Sequence, residues 1–71
     1  MKRKLVHSSQ LQSVGYDIPT QTLEIEFKNG SVYQYFKVPL HIHETLMNHA
    51  SKGAFFTAHI KSGQYRYQKV N

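Results

Sequence analysis

The stretch Thr22-Leu23-Glu24-Ile25-Glu26-Phe27-Lys28-Asn29-Gly30-Ser31-Val32-Tyr33-Gln34-Tyr35 decides the fold. Its first half alternates Leu23, Ile25 and Phe27 with Glu24, Glu26 and Lys28, the period of a strand with one covered face. Asn29-Gly30 follows, and Asn-Gly between alternating segments is a strong hairpin signal. Two registers are open to the returning strand. A two-residue turn opposes Phe27 with Val32 and sends Tyr33 and Tyr35 to the acidic face. A three-residue turn with Gly30 in a bulge opposes Phe27 with Ser31, Ile25 with Tyr33 and Leu23 with Tyr35. One residue of slip exchanges the faces of every side chain, so the expected register is the bulged one, which gathers Leu23, Ile25, Phe27, Tyr33 and Tyr35 on one face and leaves Glu24, Glu26, Val32 and Gln34 on the other. It makes Tyr33 and Tyr35 core residues with polar tips rather than a free stacking platform.

Outward from this hairpin, Leu11 to Tyr16 reads as a preceding strand, and Asp17-Ile18-Pro19-Thr20 supplies turn chemistry. Pro39 stops the returning strand and suits the start of a helix. There Ile42, Leu46 and Ala50 recur at helical spacing beside Met47, while His41, Glu44, Thr45 and Asn48 fall on other faces. Ser51 is placed to cap a second helix from Lys52 to about Lys61, on which Phe56 and Ile60, and Phe55 and His59, stand one turn apart. Ser62-Gly63 ends it, and Tyr65 and Tyr67 alternate with polar residues as a final strand would. The spacing predicts an α+β domain: a small antiparallel meander of three strands plus a C-terminal strand, with two short helices packed on one face. Residues 6–71 form this single domain, and residues 1–5 are expected as a flexible basic tail.

A chain of 71 residues has room for one modest core, which excludes a two-domain enzyme. Apolar content of 39% and charge of 18% suit a folded protein. With no Cys there are no disulfides, thiolate metal sites or cysteine nucleophiles, and a cytoplasmic setting is expected. No apolar run reaches the length of a membrane span, and the first residues lack a signal peptide's apolar stretch, so no membrane partner is expected. The charge is uneven. Lys2, Arg3 and Lys4 crowd the start, all four acids lie between Asp17 and Glu44, and Lys52, Lys61, Arg66 and Lys69 stand without an acid in residues 52–71. That asymmetry favours a polyanion on the C-terminal third.

Ser51-Lys52-Gly53 is the first candidate anion contact, since free amides at a helix start, a small Gly53 and the Lys52 ammonium would converge there. An ordinary capped helix start whose glycine permits close packing reads the same three residues without a ligand. His59, Lys61 and Arg66 extend the basic surface, and Tyr65 and Tyr67 interleave with them as in proteins that grip single-stranded RNA by stacking and phosphate contacts. Metal chemistry is not expected. His41 and His43 project about 200° apart on a helix, too far to chelate one ion. His49 and His59 have no sequence relationship that brings them together, and thiolates are lacking. No nucleophile, base and orienting acid stand in a recognisable arrangement, and a nuclease using His59 with a lysine is the weakest of the readings. The expected function is therefore a non-enzymatic binding module without cofactor. Its partner is RNA of tRNA-like kind, with a protein met at a strand edge or at the aromatic C-terminal strand as the alternative. Oligomeric state is left open.

Taken in order, Ser8-Ser9, Val14-Gly15-Tyr16-Asp17, Thr22 to Phe27, Asn29 to Phe36, Val38-Pro39, Ser51-Lys52-Gly53, Phe55-Phe56 and His59-Ile60-Lys61 before Tyr65 form a recognisable series. The series resembles the KTSC domain, named for its place at the C-terminus of some lysyl-tRNA synthetases and also found as free-standing small bacterial proteins. The resemblance runs from Val6 to Tyr67. It implies a small α+β module and, through the synthetase attachment, a link with RNA. The family's central tyrosine pair falls on Tyr33 and Tyr35, and its Ser-Lys-Gly element on Ser51, Lys52 and Gly53.

Overall fold

A computed structural model describes residues 1–71 as five strands and two helices: β1 (Arg3–Leu5), β2 (Leu11–Asp17), β3 (Thr22–Phe27), β4 (Val32–Tyr35), α1 (Leu40–Asn48), α2 (Lys52–His59) and β5 (Tyr67–Lys69). The strands pair antiparallel in chain order from β1 to β5. The expected α+β meander with helices on one face is the fold, with one strand more than expected.

The central hairpin takes the bulged register. Leu23 opposes Tyr35 and Ile25 opposes Tyr33. Phe27 N–H donates to the Ser31 carbonyl at 2.8 Å, and Gly30 N–H donates to the Phe27 carbonyl at 2.9 Å. Gly30 sits at φ 94°, a conformation glycine adopts without the crowding an L side chain would meet.

A second irregularity aligns β2. Leu11 opposes Phe27, Ser13 opposes Glu26, and the register shifts between them. The extra residue at this bulge lets Leu11 and Val14 face the same side, although an unbroken strand would separate an odd from an even position. Both are buried together with Leu23, Ile25, Tyr35 and Val38 from the strands and the segment after them, and with Leu46, Phe55, Phe56 and Ile60 from the helical region. Each apolar side chain withdrawn from water here contributes about 1.5–3 kcal/mol before chain entropy is charged against it.

The first residues depart from the expected flexible tail. Arg3, Lys4 and Leu5 pair with Gly15, Val14 and Ser13, forming an edge strand. Sequence pattern hides this strand because Lys-Arg-Lys carries no apolar alternation. What fixes it lies on other strands: on the outer face, Arg3 Nε donates to Ser13 Oγ at 2.9 Å, and its Nη1 is paired with the Glu24 carboxylate. Gly15 leaves room for this crossing, since a β-carbon there would stand 3.0 Å from Arg3 Cγ and 2.9 Å from the Lys2 carbonyl.

The helices begin and end a little differently from the sequence expectation. Pro39 occupies the cap position and α1 closes at Asn48, so Ala50 lies exposed in the connection rather than on an apolar stripe. Ser51 is the cap residue of α2, but its hydroxyl caps nothing; its N–H donates instead to His49 Nδ1 at 3.0 Å. At the far end, Ile60 and Lys61 N–H groups both donate to the Phe56 carbonyl at 2.9 Å, which ties Lys61 to the last turn.

Candidate functional site

The pairing of β5 with β4 sets Tyr67 opposite Tyr35 and Lys69 opposite Tyr33, so these four side chains share the helix-side face. Their burial falls toward the edge: Tyr35 is 5% exposed, Tyr33 is half-buried and Tyr67 is 63% exposed. The three rings touch in turn. Tyr33 stacks near Tyr35 with centroids 6.5 Å apart, and Tyr67 leans on both, 6.0 Å from Tyr33 and 5.7 Å from Tyr35. Phe56 of α2 meets Tyr35 edge-on at 5.4 Å and supports the group from below. Burial, with the neighbouring Tyr33 and Tyr67 phenols adding to it, pushes the Tyr35 phenol up to about 12. It therefore carries no negative charge at neutral pH.

Above these rings is an open notch of ≈ 370 Å³, with Phe27, Tyr33, Tyr35 and Tyr67 as its aromatic walls and Asn29, Ser31 and Lys61 as its polar rim. Asn29 Oδ1 accepts the Ser31 N–H at 2.9 Å, which fixes the amide and turns its Nδ2 donor away from that bond. On the other side of Tyr67 lies a groove of ≈ 560 Å³, lined by Phe36, Lys37, Tyr65, Arg66 and Tyr67 together with Gln64 and Gln68. Two cations and three aromatic rings line it, and no acid does. The exposed Tyr67 ring is common to both depressions.

Of the residues marked out by sequence, Lys61 lines the notch, Tyr65 and Arg66 line the groove, Tyr67 lines both, and the others lie elsewhere. Ser51, Lys52 and Gly53 open α2 and line neither depression. Gly53 is buried against Gln10 and Ser8, where a β-carbon would come within 3.3 Å of Gln10 Cδ and 3.4 Å of Ser8 Oγ, and Lys52 Nζ donates to the His49 carbonyl at 3.2 Å. These contacts match the close-packing reading of the Ser-Lys-Gly element. His59 leans on Phe55 with ring centroids 4.6 Å apart and planes tilted by 31°, with His49 on the same ring at 5.3 Å, and also lies outside the two depressions. No three His, Asp or Glu side chains converge on a common point. Sequence reasoning missed Lys37, Asn29 and Ser31. Lys37 belongs to the acidic middle by position, and only the crossing of β4 with β5 carries it to the basic C-terminal segment.

Comparison with known proteins gives a consistent result. The model of the KTSC domain matches residues 7–67. A lysine–tRNA ligase of Nostoc sp. is 46% identical over 63 residues, which is 89% of this chain and 11% of that protein. The chain thus spans about a ninth of the length of such ligases. An uncharacterized protein of Stutzerimonas stutzeri is 39% identical over 71 residues, all of both chains. The crystal structure of a KTSC domain protein from Yersinia pestis superposes with a TM-score of 0.91 at 39% identity, over 99% of this chain and 97% of that one.

Proposed function

The chain belongs to the KTSC domain family, and from that premise we propose that it is a small non-enzymatic module of the cytoplasm that binds RNA at the β5 edge of its sheet. The observation that carries this reading is Tyr67: a ring 63% exposed, supported by two further tyrosines, with Lys61 on one side and Arg66 on the other. An aromatic ring held at an edge offers a face to any unpaired base, and flanking cations meet the phosphates on either side. A stacked base contributes on the order of 1–3 kcal/mol. Lysine–tRNA ligases act, by their name, on tRNA, and a segment like this chain within them supports RNA over other polyanions. Catalysis has less support, since His59 is engaged with Phe55 and stands outside both depressions.

The test is an amide NMR titration of the full chain with unfractionated tRNA at low and near-physiological salt. Shifts at Lys61, Arg66 and Tyr67 that persist at the higher salt are expected. Shifts confined to residues 1–5, or lost with salt, refute the reading. Leu5, 77% exposed on edge strand β1, favours a protein-interaction role as the second reading. Under that reading a partner perturbs β1, and its binding survives nuclease and salt.

A further inference from the structure

Lys37 has φ 58°, in the left-handed region that glycine favours and a lysine β-carbon disfavours. Its neighbours hold it there. Phe36 N–H donates to the Arg66 carbonyl at 2.9 Å, and Val38 N–H donates to the Gln21 carbonyl at 2.9 Å, so the backbone is pinned on both flanks. The side chain itself is exposed. Glycine would satisfy this backbone with less strain, yet the position carries a cation at the mouth of the groove beside Arg66. Backbone strain of this kind collects at ligand sites, where the surrounding structure enforces it.

We propose that Lys37 and Arg66 form a phosphate-binding pair for single-stranded RNA, and that the strand passes from their groove over Tyr67 into the notch at Lys61. This deepens the RNA reading above and rests on it. Two depressions joined at one exposed ring set a minimum ligand of two nucleotides, with one phosphate near Lys37 and Arg66 and another near Lys61. The Asn29 amide and the Ser31 hydroxyl stand at the notch rim, where a base edge would meet them. A duplex keeps its bases stacked and paired, so it cannot offer a free face to Tyr67. Charge complementarity selects the occupant: neither depression contains an acid, and together they hold Lys37, Lys61 and Arg66.

The experiment measures fluorescence anisotropy of a labelled octauridylate with the full chain over a salt series, beside thermal unfolding of each variant. Lys37→Gly removes the cation while accepting the left-handed backbone. Its unfolding temperature should equal or exceed that of the unsubstituted chain. Its affinity should fall at least about threefold, and its salt slope should drop by about 0.7, the increment for one phosphate contact on a single strand. Tyr67→Ala should bind about tenfold more weakly. Unchanged affinity and salt slope in Lys37→Gly, with the unsubstituted chain binding normally, overturns this inference and leaves the RNA reading standing. A lowered unfolding temperature in Lys37→Gly overturns the strain argument. Equal affinity for a duplex of the same length overturns the single-strand assignment. An unsubstituted chain that binds neither octauridylate nor tRNA at low salt removes both inference and reading.

Discussion

The Arg3 guanidinium crosses the outer face of the sheet, over β2, to pair with the Glu24 carboxylate on β3. Glu24 is 6% exposed, and Gln34 Nε2 donates to its second oxygen at 2.8 Å. Burial alone would raise this carboxyl; the Gln34 and Arg3 hydrogen bonds and the Arg3 charge outweigh it and hold the group below its ordinary value. Arg3→Ala leaves a buried carboxylate short of its cation and should cost about 1–3 kcal/mol in urea unfolding. A lowered folded-state value means stability that is complete above the unfolded carboxyl range, near 4.3, and is lost as pH falls through the folded value. Arg3→Ala should therefore show a shallower acid loss than the unsubstituted chain. Equal stability and equal acid slopes would return residues 1–5 to the role of a loose tail.

His43 should make stability depend on pH nearer neutrality. Its ring stacks on Tyr16 at 4.7 Å and 8° between planes, and its buried Nδ1 has no hydrogen-bond partner. Burial lowers its affinity for a proton, Lys4 adds to that, and Glu44 opposes it without reversing the direction. Tyr16, Lys2, Lys4 and Glu44 are the titratable groups around it. With the folded value below the unfolded one, the unfolded chain takes the proton first. Stability is then complete above about 6.5 and declines as pH falls toward the folded value. His43→Phe, which keeps a ring against Tyr16, should remove part of the decline in unfolding temperature between pH 7.5 and 5.5. An unchanged decline would mean that His43 is protonated without penalty.

The hairpin was legible because the two candidate registers differ in one consequence, the fate of five apolar and aromatic side chains, and burial decides between them. The helices were legible in part: Leu46 and the pair Phe56 and Ile60, read at helical spacing, are buried. Ala50 and His59, read on the same stripes, are exposed because α1 closes at Asn48 and the outer side of α2 faces solvent. Strand β1 was not. Its evidence lies in Gly15, Ser13 and Glu24, residues ten to twenty-one positions away whose shared purpose appears only once β2 and β3 are paired. The candidate surface was legible in its C-terminal half, where Lys61, Tyr65, Arg66 and Tyr67 are near in sequence. Lys37 reaches them through strand pairing, and Ser51 to Gly53 stand apart from them because α2 points its start toward the Ser8 loop.

Gly53 separates a packing role from a ligand role. Ser8 Oγ accepts N–H groups of Gln10 and Leu11 at 3.2 Å each, and this turn lies on the glycine. Gly53→Ala should stay within about 1 kcal/mol of the unsubstituted chain, because the helical gain offsets a small displacement of the flexible Gln10 end. Gly53→Leu should cost about 1–3 kcal/mol by forcing the turn away. Thermal unfolding measures both. Neither variant should change RNA affinity beyond its effect on folding. A loss of affinity in a fully folded Gly53→Ala chain would restore the start of α2 as a binding element.

Tyr35 should report the integrity of the aromatic notch at high pH. Its phenol lies at about 12, whereas an unfolded tyrosine titrates at 10.0. A raised folded value places the stabilising difference below the unfolded value; it is lost as pH rises from about 10 through the folded value. Absorbance at 295 nm should therefore resolve a late-ionising tyrosine in the folded chain, and Tyr35→Phe should abolish that late step. Tyr67→Phe should leave it nearly in place, because desolvation of Tyr35 by the core is the larger cause and the Tyr67 phenol is only a charge neighbour. If Tyr67→Ala instead removes a late step that Tyr67→Phe keeps, the Tyr67 ring covers Tyr35 more fully than its 63% exposure allows. The ring would then be part of the core and unavailable to a base.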